Sequence, residues 1–212
     1  MTRTEKLISI SSEALGAKVE AIPEFFGNYA LGPELFQLLA ARNGFYAFEH
    51  ALHVVPLRSD ITGTMTLEDW NSDTLWRNAY GGLADGLLFF AEDIFGDQFC
   101  LSATQAGILR FSAETGETTL LAESVEKWAD LLLSNCKIET GWQLAHEWQA
   151  KNGQLQFGQR LQPKIPFVLG GKYQLDNLYA GDAVERMLFN GDLASQLKDL
   201  PDGAQIRLRV KE

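Results

Sequence analysis

Cysteine, long apolar runs and basic residues are all scarce in this sequence, and each scarcity excludes a class of protein. The only two cysteines, Cys100 and Cys136, lack the paired CxxC spacing of a zinc or redox site, so we expect two reduced thiols with a structural role. No stretch approaches the ~18 consecutive apolar residues of a membrane span. The first residues also lack the apolar region of a secretory signal. The sequence therefore predicts a cytoplasmic protein that does not associate with a membrane.

The shortage of basic residues bears on the partner. The chain has 18 Lys and Arg against 28 Asp and Glu, a net charge of −10, which repels phosphates and argues against nucleic acid. Residues 85–139 concentrate the excess, with ten acidic side chains against three basic ones. A solvated acidic face is the more common meaning of such a run. The alternative is a face that docks a cationic protein.

Apolar residues are abundant. They make up 46% of the 212-residue chain, which is enough for a globular core. Residues 31–44 predict a helix, because Leu35, Leu38 and Leu39 have helical spacing, Pro33 lies in the first turn and Gly44 follows the end. Residues 45–57 predict one extended segment, and residues 66–82 a helix that Gly81 and Gly82 end.

Three strand-like segments follow, at residues 87–92, 98–103 and 107–113, and the turn ETGET precedes apolar TLLA. Their order predicts an antiparallel meander. Ser124 is a candidate N-cap for a helix that buries Val125, Trp128, Leu131 and Leu132. A second helix should end at Gly153.

Near the C-terminus, Asp182 and Glu185 predict a helix start, with an interruption near Asn190-Gly191. Alternation over residues 206–210 predicts a closing strand after a turn at 201–203. The predicted fold class is α+β, a mainly antiparallel or mixed sheet covered by helices with a C-terminal helix-strand extension. We expect a domain over residues 1–153 and an extension over 154–212, packed on the same core or forming a separate lobe.

The acids around the connection of two predicted strands raise the question of catalysis. Glu92, Asp93 and Asp97 lie in LLFFAEDIFGDQFCLS. Consecutive strand residues point to opposite faces, so Glu92 and Asp93 should not converge on one pocket. His50 and His53 would share a face of a helix but not of a strand. No phosphate loop or nucleophile elbow is present, so we expect no catalytic residue, metal site or cofactor.

A second acidic group surrounds a tryptophan. Trp70 lies in LEDWNSD with Glu68, Asp69 and Asp73. An aromatic anchor beside carboxylates suits a binding patch for a basic protein. A helix with one buried tryptophan and a solvated acidic side explains the same pattern.

Three stretches, LGPELFQLLAARNG, LLFFAEDIFGDQFCLS and AESVEKWADLLL, occur in an order that resembles the SUKH superfamily over residues 32–133. Its members include bacterial toxin-immunity proteins and a fungal regulator of cell-wall synthesis. The resemblance implies an α+β domain that binds proteins rather than catalyses a reaction. It makes the turn formed by Glu92, Asp93, Gly96 and Asp97 a candidate recognition surface.

From this resemblance we expect an immunity protein that binds a cognate toxin and holds it inactive by occlusion. The toxin would be basic, as a nuclease is, if charge guides the encounter. The predicted partner-binding residues are Glu68, Asp69, Trp70, Asp73, Glu92, Asp93 and Asp97. Two alternatives stay open: a housekeeping adaptor or regulatory scaffold, and a carboxylate-dependent hydrolase with its site at Glu92, Asp93 and Asp97.

Overall fold

A six-stranded antiparallel sheet with strands in chain order organises the computed structural model, which describes residues 1–200. Its strands are β1 Phe45–Ala47, β2 Leu52–Val54, β3 Leu87–Asp93, β4 Gln98–Ser102, β5 Ile108–Phe111 and β6 Thr118–Ala122. A separate antiparallel pair consists of β7 Gln159–Pro163 and β8 Leu178–Asp182. The α+β class and the predicted meander are therefore confirmed.

Six α-helices lie within the described residues: α1 Arg3–Ser9, α2 Gly32–Ala41, α3 Leu67–Trp70, α4 Val125–Glu139, α5 Trp142–Asn152 and α6 Ala183–Leu197. Several helix ends lie where the local sequence predicted them. The Ser124 side chain accepts a hydrogen bond from the Lys127 amide at the start of α4. Gly153, with a φ of +93°, follows the end of α5. Of the predicted stripe of α4, Val125, Trp128 and Leu132 are buried and Leu131 is half-buried.

Both faces of the central strand β3 are covered. Phe89 packs against Trp76 and Phe111 on one face, while Phe90 packs against Trp128 of α4 on the other. A β-bulge shifts the β3–β4 register between Phe89 and Ala91. Burial on both faces explains why the strand appears in the sequence as a continuous apolar run.

Two predictions upstream of β3 were wrong. Residues 45–57 form a hairpin rather than one extended segment, because Phe48, Glu49 and His50 all have positive φ and reverse the chain between β1 and β2. Residues 66–82 hold the single turn α3 and a 3-10 turn at Arg77–Tyr80 instead of one helix.

The helix at residues 66–82 fails for a packing reason. Trp70 and Trp76 are both buried, yet six residues along a helix turn through about 240°, so one straight helix could not bury both. Asn71 also leaves the helix to exchange two hydrogen bonds of 2.8 Å with the backbone of Phe89, at the bulge.

The segment after Gly153 adds β7, β8 and α6. Helix α6 runs through Asn190 and Gly191 without the expected interruption. A Cβ at position 191 would lie 2.6 Å from the Cβ of Ala79, so Gly191 permits close packing of α6 on the 3-10 turn. Ala183, Met187 and Ala194 join the apolar core of the main sheet. The predicted closing strand at 206–210 and the turn at 201–203 lie outside the described residues.

Candidate functional site

The turn between β3 and β4 is built around the side chain of Asp93. Its Oδ1 accepts hydrogen bonds from the amides of Phe95, at 2.8 Å, and Asp97, at 3.0 Å. Gly96 adopts a φ of +95°, which closes the turn. Asp97 Oδ1 in turn accepts a bond of 2.9 Å from the amide of Ala113. The acids at this connection therefore hold local backbone in place.

Glu92 and Asp93 point to opposite faces of β3, as the alternation predicted. Glu92 is 2% exposed, and its Oε1 lies 2.8 Å from Arg160 Nη2 and 2.9 Å from His53 Nδ1. The Arg160 contact lies within ion-pair distance, but the N–H of Arg160 Nη2 is not aligned for a hydrogen bond. A hydrolase site using all three carboxylates does not form, since Glu92 is turned away from Asp93 and Asp97.

The electrostatics of this buried group favour a charged Glu92 and a neutral His53. Burial alone would raise the pKa of Glu92, but Arg160 and the hydrogen bond from His53 outweigh it and lower that pKa to about 2. Burial also lowers the pKa of His53, and the charge of Arg160 adds to this effect against the opposing hydrogen bond to Glu92. The neutral imidazole donates from Nδ1, because a carboxylate can only accept.

Asp93 instead faces a cleft of about 560 Å³, which we call the acid-turn cleft. That volume is within the range of ligand-binding pockets. Its lining residues are Asp93, Phe95, Asp97, Arg110, Glu114, Lys137, Ile138, Gly141, Gln143, Leu144, Glu147, Phe167 and Tyr173. The cleft therefore lies between the β3–β4 turn, the junction of α4 and α5, and the loop after β7.

Two carboxyls at the base of the acid-turn cleft resist ionisation. Burial, followed by the nearby charge of Asp97, raises the pKa of Asp93 to about 7, against the opposing effect of Arg110. Burial likewise raises the pKa of Asp97, opposed by the Ala113 amide and Arg110. At neutral pH Asp93 is thus poised between its protonated and charged forms.

Two arginines near these carboxyls are engaged elsewhere. Arg110 Nη1 approaches Asp93 Oδ2 only to 4.0 Å, while its Nη2 donates to the carbonyl and the carboxylate of Glu139, both at 2.8 Å. Arg186 Nη2 donates to Glu114 Oε1 at 2.8 Å. The strongest charge pairs at the cleft thus leave Asp93 without a close cation.

Aromatic rings form one wall of the acid-turn cleft. The rings of Phe167 and Tyr173 stack with centroids 3.8 Å apart. Phe95 meets both edge-on at 5.4 Å. Tyr173 is exposed, so the wall reaches the molecular surface. The arrangement combines apolar surface with carboxylates inside one concave site.

The second predicted acidic group lies apart from the cleft and needs correction. Trp70 is 3% exposed, and its Nε1 donates to Gln98 Oε1 at 2.9 Å, so it is a core residue and offers a partner no contact area. Glu68, Asp69 and Asp73 are exposed. Asp69 caps α3 through Thr66, and Asp73 pairs with Arg77. The seven predicted residues therefore do not make one surface.

The acidic run at residues 85–139 is also less exposed than its charge implies. Glu92, Asp93 and Glu114 are buried, and Glu139 is half-buried against Arg110. Glu126 accepts hydrogen bonds from Thr4, and Asp130 pairs with Arg3, which ties α4 to α1. The exposed acids of this run are Asp85, Glu117 and Glu123.

Sequence reasoning missed the aromatic wall. Phe167 and Tyr173 flank Gly170 and Gly171 in PFVLGGKY. Gly170 has a φ of +90°, and a Cβ at Gly171 would lie 1.9 Å from the carbonyl oxygen of Ile165. Paired aromatics around two consecutive glycines were the available signal of a tight loop that brings its rings together.

Comparison with known proteins supplies a family and a fold. The model described as SMI1 / KNR4 family (SUKH-1) matches residues 14–131. The crystal structure of Atu4351 from Agrobacterium tumefaciens is similar to this chain, with a TM-score of 0.59 and 12% sequence identity. That match covers 89% of this chain and 88% of the other, and at this identity it shows the fold alone. No curated protein matches.

Residues 1–200 contain neither a membrane-spanning helix nor a cluster of metal ligands. No helix there combines the length and hydropathy needed to cross a membrane. The same residues contain no group of three His, Cys, Asp or Glu side chains arranged to hold a metal ion.

Proposed function

Because the chain belongs to the SMI1/KNR4 family (SUKH-1), we propose that it is a protein-binding module, and specifically an immunity protein that binds a cognate toxin and holds it inactive. Family membership supports the broader statement, an immunity-type or regulatory protein. The geometry of the acid-turn cleft and its rim supports binding of a macromolecule.

The observation that carries this proposal is a group of exposed apolar side chains in the loop between β7 and β8, beside the acid-turn cleft, which we call the exposed apolar strip. Its members are Ile165, Val168 and Tyr173. Clustered apolar exposure, especially of aromatic residues, is typical of protein interfaces. The acid-turn cleft opens next to Val168 and Tyr173, so apolar area and negative charge are available together.

The mechanism we propose is occlusion. Tyr173 and Ile165 contribute apolar area, and the net charge of −10 attracts a basic toxin and accelerates the encounter. A basic nuclease fits this scheme because its phosphate-binding surface is positive. The toxin then stays inactive for as long as its functional surface is covered.

The decisive experiment mixes the purified full chain with the product of the neighbouring open reading frame and measures affinity by calorimetry at 50 and 500 mM NaCl. We expect a stoichiometric complex, affinity at least tenfold weaker at the higher salt, and loss of the partner's toxicity in the complex. Ile165→Ser and Tyr173→Ala should weaken the complex. Leu120→Ser, which alters an equally exposed residue on β6, is the matched control.

An adaptor or regulatory scaffold is the second candidate, favoured by the same exposed strip. It predicts a stable complex with a partner that is not toxic when expressed alone. A toxic neighbour that this chain neither binds nor neutralises would contradict the immunity proposal.

A further inference from the structure

The floor of the acid-turn cleft has two carboxylate oxygens that lack a donor. Asp93, 3% exposed, uses Oδ1 for two backbone amides, whereas within residues 1–200 the nearest cationic atom to its Oδ2 is Arg110 Nη1 at 4.0 Å. Asp97 uses Oδ1 for the Ala113 amide, and no donor from the described part of the chain reaches its Oδ2. Both residues line the cleft, so a donor that enters the cleft can reach these oxygens. This floor is therefore suited to donors from outside the chain.

The charge balance of the cleft favours a cation. Four acidic residues and two basic residues line it, which gives a net charge of −2 when every carboxyl is ionised. Arg110 already donates a hydrogen bond from Nη2 to the Glu139 carboxylate. Lys137 forms no ion pair within 4.0 Å of a carboxylate of residues 1–200. A cation brought by a ligand would thus meet free acceptors without displacing an existing pair.

The walls of the cleft favour a planar cation. A guanidinium group is planar, stacks on aromatic rings and donates in a fixed fork to carboxylates. Phe167 and Tyr173 present stacked rings, and Ile138 and Leu144 add apolar surface for an aliphatic stem. A compact ammonium could satisfy the acids but would gain less from the flat wall.

We propose that the acid-turn cleft binds the guanidinium group of an arginine side chain presented by the partner protein, with Asp93 Oδ2 and Asp97 Oδ2 as its acceptors. This inference rests on the proposed function and names the recognition element of that same surface. The arginine anchors the partner, and the exposed apolar strip around it supplies the remaining contact area.

Binding should be linked to pH, because Asp93 must release a proton to accept the cation. With a pKa of about 7, the charged fraction of Asp93 is about tenfold lower at pH 6 than at pH 8, and the apparent affinity falls in the same ratio. The other charged or titratable groups around it are Asp97 in the turn, Arg110 on β5, Glu114 after β5, Lys137 and Glu139 on α4, Glu147 on α5, and Tyr173.

The test titrates the full chain with N-acetyl-arginine N-methylamide and follows the amide resonances by NMR at pH 8. The matched probe is N-acetyl-citrulline N-methylamide, which keeps the planar head but has no charge. We expect saturable shifts centred on the 93–97 turn, with at least tenfold weaker binding of the citrulline probe. Asp93→Asn should weaken arginine binding at least tenfold, while Glu117→Gln, an exposed acid outside the cleft, should leave it unchanged.

Tyr173→Leu provides a second variant, since its exposed side chain can change without loss of the fold. It keeps every charge of the cleft and should weaken the arginine probe several-fold. Equal binding of both probes, or no shift at the turn at pH 8, would refute the inference. Free L-arginine binding tenfold more tightly than the capped probe would identify a free amino acid as the ligand and overturn the assignment to a protein.

The two proposals fail in different ways. A partner complex that Asp93→Asn and Tyr173→Leu leave unchanged would reject the arginine pocket but keep the binding function. Absence of any partner complex, together with saturable binding of the arginine probe, would reject the proposed function and keep a guanidinium site.

Discussion

Replacing Arg160 by alanine should destabilise the fold strongly. Arg160 is 1% exposed, and its guanidinium faces Glu92, which is 2% exposed, at 2.8 Å. Removing one partner of a buried ion pair leaves an uncompensated charge and costs about 3–5 kcal/mol. In a chain of this size, 1 kcal/mol corresponds to about 2–4 °C, so the melting temperature should fall by about 6–20 °C.

Urea denaturation followed by circular dichroism measures this loss. The double variant Glu92→Gln, Arg160→Met removes both charges while keeping most of the volume, and it should lose less than about 2 kcal/mol, since paired removal of buried charges is often close to neutral. Lys151→Ala, an exposed basic residue on α5, controls for loss of positive charge. A loss below about 1 kcal/mol for Arg160→Ala, or a double variant as unstable as the single one, would refute the reasoning.

The same pair predicts a pH dependence with a definite sign. The folded pKa of Glu92, about 2, lies below its ordinary value of 4.5. The pair therefore stabilises the fold above about pH 4.5, and this contribution is lost as the pH falls towards 2. Without Arg160, burial would no longer be offset and the pKa of Glu92 would rise. Stability of Arg160→Ala should consequently change less between pH 4.5 and 2 than stability of the wild type.

Three further substitutions test other parts of the structure. Asp93→Asn should become progressively more stable relative to wild type as the pH rises from about 4 to 8. The folded pKa of Asp93, near 7, exceeds the ordinary value of 3.8, so the wild type loses stability as Asp93 is deprotonated. Urea midpoints at the two ends of this range check the prediction, and a constant difference between the two proteins would contradict it. Gly191→Ala should lower the free energy of unfolding by about 1–3 kcal/mol, measured by calorimetry, although alanine has the better helix propensity. The reason is that the new Cβ would lie 2.6 Å from the Cβ of Ala79. A gain in stability would show that α6 can move away. Trp70→Phe should cost about 2–4 kcal/mol by circular dichroism, because it leaves a cavity and removes the donor to buried Gln98; a neutral effect would mean that Gln98 finds another donor.

The parts of the fold that sequence predicted depend on neighbouring residues. Ser124 at the start of α4, Gly153 after α5 and the alternating strands of the meander are local patterns with local physical causes. The segment at residues 66–82 failed because Asn71 and Trp76 take their conformation from β3, which lies later in the chain. A local pattern cannot express that constraint.

The acidic site shows the same division. Its place at the β3–β4 connection and the divergence of Glu92 and Asp93 followed from strand geometry. Whether each acid was buried or exposed did not, because the relevant cations, Arg160 and Arg186, are more than 65 residues distant in sequence. The run of charge at residues 85–139 therefore looked like a surface, although several of its acids hold elements together.

The alternation of β3 gives the segment after α5 two separate roles. On one face, Arg160 of β7 neutralises Glu92 and fixes β7 beside the main sheet, where the Leu161 amide donates to the carbonyl of Ile94 at 2.9 Å. On the other side, the loop that follows β7 brings Phe167 and Tyr173 to the cleft that holds Asp93. The ion pair at Glu92 therefore helps to hold the segment that carries the aromatic wall, together with the bond of 2.8 Å from the Val168 amide to Glu114. A variant that breaks the pair should loosen that wall, and weaken any ligand of the cleft, before the sheet itself unfolds.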